Sequence, residues 1–443
     1  HRYGMLFSSP PSIVALDIET ISLENRSPVG IGVAHPDGYA FYFTIDDPTI
    51  PWHLIQNGST KKIWHNASFD LARECLYAFE ADIENIEDTA IMCRILCMDA
   101  ALSSTEYTTG IPVDSMGDVL KEYGVTKTTR LPFDVLANKC ARDALATMAL
   151  YKKLSSQIDQ GLYNVERRFL TKLIRMSYKG VKLNTTLMEE YDRLIEHDYN
   201  YFRNTCSNIG FNPHSPDQVA YMLTNNHMFL QRNRRTGKYI TDENALKRLQ
   251  HPLAALTLIT RQLGKLHSTY IHPLVGKDRA YAHFGLDAAT ARTNSWDINI
   301  QNIPGEPDQG RIDEVPFKHN IRNAFLPDSG IITKYDLSQI ELRVLAYLSQ
   351  DKNMMAEFSK TDNNGRPSGD LHSRSMKAMH ISSRTRAKNF NFGMIYGGDD
   401  ETLLKYTGIE DKALIAAFRA RWNSEYSDAA RWIAQQRIQG VRD

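Results

Sequence analysis

Two acids in Val14-Ala15-Leu16-Asp17-Ile18-Glu19-Thr20 stand two residues apart at the end of an apolar run. In a strand, the period of two turns both carboxylates to one face. Paired negative charge beside a core is costly unless cations neutralise it, and hard divalent cations such as Mg²⁺ take carboxylate oxygens. Taken alone, such a pair is usually just a solvated strand end. A second pattern lies near the other end of the chain, where Arg384, Lys388, Phe392 and Tyr396 follow at four-residue steps with Gly397 and Gly398 behind them. On a helix these side chains drift slowly around one face, setting two cations ahead of two rings. Phosphate would meet the cations and a base the rings. Arg374, Lys377 and Arg386 nearby suit an ordinary solvated basic helix, which leaves the rings and glycines unexplained. A third run, Tyr335-Asp336-Leu337-Ser338-Gln339-Ile340-Glu341-Leu342-Arg343, follows the β-rich Gly330-Ile331-Ile332-Thr333. Asp336 would therefore sit at a strand exit, where a carboxylate can hold Mg²⁺. Ser338 and Glu341 also have capping-box spacing for a following helix.

The elements that must position these groups can be read from periodicity. Ser12-Ile13-Val14-Ala15-Leu16 and residues 39–44 read as strands, and helical patterns follow Asn66 and Asp143, which together make an α/β region ending near residue 160. From there to about residue 275 the period is helical, with turns or caps at Asn212-Pro213, Ser215-Pro216 and Thr241-Asp242. Strand-like pieces return at residues 280–286 and 330–335 before the chain becomes helical again. At 443 residues several cores are expected. The 52 basic residues balance the 52 acidic ones, so any nucleic-acid surface must arise from local charge separation. Five cysteines, scattered and without a CxxC pair, argue against a structural zinc site and for a reducing compartment. Cys93 and Cys97 read as one buried helical stripe. No apolar run approaches the length of a membrane span, and the first thirty residues lack signal-peptide character, so a soluble protein is expected.

With these elements in place, the partners of the first acid pair resemble a known pattern. Asn66-Ala67-Ser68-Phe69-Asp70 and Cys140-Ala141-Arg142-Asp143-Ala144 are similar to the second and third motifs of DEDD 3′→5′ exonucleases. Asp17, Glu19, Asp70 and Asp143 match that family's four acids in order and spacing. The later runs resemble family A DNA polymerases: Thr290-Ala291-Arg292 with Asn299-Ile300-Gln301-Asn302-Ile303-Pro304 at the palm entry, residues 335–343 as motif A, and Arg384 to Gly398 as motif B. Asp370-Leu371-His372 is similar to the family's triphosphate-touching histidine, and the stretch from His251 to Tyr270, with Lys265, to its thumb. Three departures stand out: Ala291 for glycine, Leu337 for tyrosine, and Lys139 where proofreading nucleases carry a tyrosine that orients water. An ammonium donates only and cannot take a proton from water.

What the resemblance implies is specific. The fold class would be mixed α/β: a ribonuclease H-like exonuclease domain (1–160), a helical thumb (161–278), the first part of a palm with motif A (279–345), and helical fingers with motif B (346–443) of a right-hand polymerase. Asp17, Glu19, Asp70 and Asp143 would hold two Mg²⁺ or Mn²⁺ ions, and Asp336 would bridge the pair at the polymerase site. Gln339, His372, Arg384, Lys388, Phe392 and Tyr396 would bind nucleotide, while Glu341 would exclude the 2′-hydroxyl. Arg292, Asn299, Gln301 and Lys265 would contact DNA. Partners would be primer-template DNA and deoxynucleoside triphosphates, in a bacterial cytoplasm, including that of a phage-infected cell. No His-Asp-Glu turn follows Tyr396 in these residues, so the polymerase site is expected to be incomplete here, through truncation or a second polypeptide supplying the rest of the palm. Two alternatives stand beside polymerase with proofreading: a stand-alone exonuclease, and a non-catalytic DNA-binding replication subunit.

Overall fold

The computed structural model describes residues 10–22, 25–286, 292–304, 319–409 and 411–439. Its central element is strand β1 (Ile13–Thr20), with β2 (Pro28–His35), β3 (Tyr39–Thr44), β4 (Lys61–Trp64) and β5 (Ile86–Asp88) completing a sheet of order β3-β2-β1-β4-β5. The pairs β1–β2 and β2–β3 are antiparallel, as short connections allow. The pairs β1–β4 and β4–β5 are parallel, which requires crossovers. The expected strands at Ser12–Leu16 and residues 39–44 are both present. Missed was β2, where Pro28, Gly30 and Gly32 weaken the β signal of Pro-Val-Gly-Ile-Gly-Val-Ala-His.

The two faces of β1 have separate jobs. Val14, Leu16 and Ile18 enter a large core with Tyr163, Leu170, Leu173 and Ile174 of the Gln160–Lys179 helix. The opposite face carries Ala15, Asp17 and Glu19. There Ala15, Ala34 and Ile63 pack against Ala144 and Met148 of the long Phe133–Leu154 helix. Gly32 permits this approach, because a Cβ there would lie 2.6 Å from the Cys140 carbonyl oxygen. Small residues on both surfaces thus let a helix sit close above the acid-bearing face.

Further along, β6 (Val181–Leu183) pairs with β7 (Arg279–Ala280) and with β10 (Phe325–Leu326). β8 (His283–Gly285) pairs with β9 (Asn294–Trp296). The Thr185–Ile209 and Pro252–Leu266 helices share a core of Met188, Tyr191, Ile195, Ile259 and Leu263. Ser215 caps the helix that Pro216 opens, and the Asp242 carboxylate accepts from Ala245 N, as their sequence signals indicate. No helix among the described residues is long and apolar enough to cross a membrane.

The chain divides into two compact units, residues 1–241 with 249–331, and residues 242–248 with 332–443. The second unit is helical, packed around Phe390, Phe418, Trp422, Tyr426, Met354 and Leu371.

Three expectations are corrected. Residues 331–337 have no strand hydrogen bonding, and Ile331 and Tyr335 are 81% and 91% exposed. A β-rich sequence becomes a strand only when a neighbouring strand takes its backbone groups, and among the described residues none pairs with this one. The helix after motif A has no capping box: Gln339 stands at its N-cap with φ +55° and no side-chain cap, and Glu341 is engaged elsewhere. Cys93 is buried, but Cys97 lies beyond the Thr89–Ile95 helix with φ +55° and is exposed.

Candidate functional site

Four acids from three separate elements gather over one face of β1. Asp17 and Glu19 come from the strand, Asp70 from the short Ala67–Asp70 helix, and Asp143 from the middle of the Phe133–Leu154 helix. Asp70 is buried and accepts the Ile18 backbone N–H at 3.0 Å, a bond made between the two strand acids. Carboxylate oxygens of Asp17 and Glu19 and the Cys140 sulfur all lie within 4.8 Å of one another. Asp143 is buried, and its Oδ1 has no hydrogen-bond partner.

Burial dominates the electrostatics. It pushes Asp17 up to about 7, helped by the charge of Asp143. It pushes Glu19 up to about 8, against the pull of Lys139. It also raises Asp143 and carries Asp70 well above the ordinary carboxylate range, where Asp17 adds to the effect. Carboxylates this reluctant to ionise are short of positive charge. The donor set is all hard oxygen apart from the Cys140 thiol, and it includes a buried oxygen without a partner. These residues fit a divalent cation.

Lys139 brings a cation into this cluster. It stands one helical turn before Asp143, with Nζ 2.5 Å from Asp143 Oδ2 and 3.7 Å from Glu19 Oε1. Burial alone would lower its ammonium, but Glu19, Asp143 and Asp17 together raise it. Its side chain is only 11% exposed, so Lys139 is not a plain surface lysine.

Asp88 escaped the sequence reading. Buried at the end of β5, it accepts from Ala67 N at 2.7 Å and from Ile91 N at 3.0 Å, so one carboxylate caps the Asp70 helix and the helix that follows β5. The available signal was an acid directly before an apolar helical run, in Glu87-Asp88-Thr89-Ala90-Ile91.

In the second unit, motif A and motif B residues meet. The Tyr396 hydroxyl donates to Glu341 Oε1 at 3.0 Å. Lys388 Nζ lies 5.9 Å from the Phe392 ring centre, and the His372 ring packs 5.6 Å from the same ring. Arg384 is held by both oxygens of Asp370, at 2.7 and 3.1 Å, which keeps Asp370 far below the usual carboxylate range. Gln339 reaches the loop before the Leu371–Met379 helix, accepting from Leu371 N at 3.0 Å and donating to Gly369 O at 3.3 Å. It therefore ties motif A to the helix that carries His372. Gly369 is required there, because a Cβ would lie 2.0 Å from Glu357 O.

His372 itself is almost fully buried. Trp422 Nε1–H donates to Asn391 Oδ1 at 3.0 Å, and Asn391 Nδ2 lies 3.0 Å from His372 Nδ1. Indole is donor-only, so it fixes the Asn391 amide, and His372 Nδ1 must accept. Neutral His372 then carries its proton on Nε2. Burial, reinforced by Arg384, pulls its pKa down to about 4. Asn391 stands inside the expected nucleotide motif and was also overlooked, since a mid-helix asparagine carries no sequence signal of its buried partners.

The remaining predicted residues are more dispersed. Asp336 is exposed on the extended stretch, and among the described residues no three-ligand group forms around it. Asn299 Oδ1 accepts from Ser295 Oγ at 3.1 Å, and Gln301 Nε2 donates to Thr293 Oγ1 at 2.7 Å. Arg292 is exposed; Thr290 and Ala291 lie outside the described residues. Lys265 is exposed near the end of the Pro252–Leu266 helix. Its neighbour His267 is held by Asp192 at 3.0 Å, as is His272 at 3.2 Å.

Comparison with known proteins bears on both sites. Residues 7–159 match the 3′-5′ exonuclease family, and residues 181–442 match DNA polymerase family A. The thermostable DNA polymerase I of Thermus filiformis is 31% identical over 328 residues, covering 68% of this chain and 37% of that protein. DNA polymerase I of Geobacillus stearothermophilus is 31% identical over 305 residues, covering 62% of this chain and 33% of its own length. The chain thus spans about a third of the length of the curated relatives it matches. The POL domain of Pol1 from M. smegmatis, in a complex with DNA primer-template and dNTP, superposes with a TM-score of 0.69 at 19% identity, covering 97% of this chain and 75% of that one. That likeness supports the mixed α/β right-hand fold. With a matched segment that takes in more than half of its residues, the chain belongs to DNA polymerase family A and carries a 3′-5′ exonuclease domain ahead of the polymerase segment.

Proposed function

We propose that this chain removes nucleotides from the 3′ end of DNA at the four-acid site and forms part of a template-directed DNA-synthesis site in its second unit. The convergence of Asp17, Glu19, Asp70 and Asp143 from three elements onto one face carries the first half. All four are pushed toward neutrality by burial, so the site is built to receive positive charge. Asp17 and Glu19 would hold Mg²⁺ or Mn²⁺ on the strand side, and Asp143, through its unpartnered Oδ1, on the helix side. Asp70, anchored by Ile18 N–H, would keep its second oxygen for the same purpose. Two such ions, when bound, would supply a Lewis acid for the attacking water and charge stabilisation for the leaving 3′ oxygen. The residues' own part is to fix geometry and exclude bulk water from the buried cluster.

The second half rests on the Tyr396–Glu341 hydrogen bond, which joins motifs A and B at one point. Glu341 held there would fill the volume of a ribose 2′-hydroxyl and favour deoxynucleotides. Lys388 and the Phe392 ring would meet phosphate and base, with Arg384 available once it leaves Asp370. Arg292, Asn299, Gln301 and Lys265 are the proposed DNA contacts, and Asp336 the proposed polymerase metal ligand. The substrates would be primer-template DNA and deoxynucleoside triphosphates.

The nuclease is tested with single-stranded DNA labelled at its 5′ end and Mn²⁺ or Mg²⁺. Asp17→Ala should abolish shortening from the 3′ end. Equal activity in parent and variant after rigorous purification would remove the four-acid site from consideration.

A further inference from the structure

The cation that the four acids require is already partly supplied from within the chain. Lys139 Nζ is 2.5 Å from Asp143 Oδ2 and 3.7 Å from Glu19 Oε1, with a side chain only 11% exposed. A lysine is flexible and strongly hydrated, and burying it among carboxylates is favourable only because they neutralise it. A divalent ion on Asp143 Oδ1 and the Glu19 carboxylate would sit within a carboxylate's width of the ammonium that contacts Asp143 Oδ2 and Glu19 Oε1, and two cations so close repel strongly. The ammonium has four rotatable bonds with which to leave, and the cluster around it offers Asp17 and Glu19 oxygens on the strand side.

From this juxtaposition we infer that Lys139 is a resident counter-cation, which occupies the Asp143 side of the nuclease site and must be displaced before a divalent ion can bind there. The inference rests on the metal-holding reading of the four acids. Its consequence is regulatory. The acids are kept folded and partly neutralised without metal, and the nuclease engages only when the divalent ion is concentrated enough to evict the lysine. A structural ion pair alone would behave differently, since its loss would weaken the fold whether or not metal is present and would not tighten metal binding.

The experiment measures free Mn²⁺ by electron paramagnetic resonance as it is titrated into the whole chain. The proteins compared are the parent, Lys139→Met, Lys139→Arg and Asp17→Asn. Methionine keeps the stem and removes the charge; arginine keeps the charge. Lys139→Met should bind Mn²⁺ at least about tenfold more tightly than the parent, while Lys139→Arg stays within about twofold of it. Thermal melting should cross over: Lys139→Met melts below the parent in chelator and above it in saturating Mn²⁺. Mn²⁺ affinity in Lys139→Met no tighter than in the parent overturns the inference. So does tighter binding in Lys139→Arg, which serves alone if the methionine variant does not fold. Should neither parent nor Lys139 variants bind Mn²⁺ in a manner sensitive to Asp17→Asn, the metal-holding reading itself fails, a different outcome from loss of the competition.

Discussion

Acidification should weaken the second unit through one side chain, His372. Its folded pKa of about 4 lies below the ordinary 6.5, so between those values the unfolded chain binds a proton that the folded chain refuses. Stability from this group is therefore fully present above about pH 6.5 and is lost as pH falls toward 4. At about 1.4 kcal/mol per unit the ceiling is about 3 kcal/mol, and about 2 kcal/mol is already gone at pH 5. The structure supplies the reason. Protonation at Nδ1 would set a hydrogen against the Asn391 amide hydrogens, and that amide cannot turn without abandoning the Trp422 indole. Urea denaturation of the parent and of His372→Gln at pH 7.5 and pH 5 measures the effect, with the Trp422 indole proton and the His372 ring protons followed by NMR. The pH-dependent loss should be smaller by about 2 kcal/mol in the variant. A His372 that titrates near 6.5 in the folded protein, or identical pH dependence in the two proteins, would refute the hydrogen-bond assignment.

Other outcomes follow from the same geometry. Gly32→Ala places a methyl against the Cys140 carbonyl and should destabilise the first unit by about 1–3 kcal/mol, read by thermal melting, with loss of Mn²⁺ binding as Asp143 is lifted away. Asp88→Ala should cost about 1–3 kcal/mol, because it uncaps two helices and leaves Ala67 N–H buried without an acceptor. Nuclease activity should fall with it, and a variant as stable as the parent would count against the capping role. In a completed polymerase, with the rest of the palm supplied, Glu341→Ala should raise ribonucleotide incorporation in primer extension more than it lowers deoxynucleotide incorporation. Tyr396→Phe, which deletes only the hydroxyl bound to Glu341, should shift the same ratio less. Unchanged sugar selectivity in Glu341→Ala would remove the steric assignment.

Much of this protein can be read from its residues alone because the determining interactions are local or periodic. A strand's period of two puts Asp17 and Glu19 on one face whatever surrounds it, and a helical period puts Arg384, Lys388, Phe392 and Tyr396 near one another. Chain order and motif spacing were enough to match the 3′-5′ exonuclease and DNA polymerase A families. What the periodicity could not contain is pairing at long range. Residues 331–335 have the composition of a strand, yet a strand is a property of two segments. β2 forms despite its proline and glycines because Gly32 lets a distant helix approach. Glu341 has capping spacing but bonds to Tyr396, 55 residues away. Asp88 and Asn391 are ordinary polar residues until folding buries them beside partners 21 and 31 positions distant. Lys139 is the sharpest case. In sequence it is only a missing tyrosine, and its chemistry depends on how deeply the fold buries it and how close it brings Glu19, more than a hundred residues earlier. Desolvation and unlike-charge contact are set by three-dimensional surroundings, so tertiary structure alone decided that this lysine sits buried between Glu19 and Asp143.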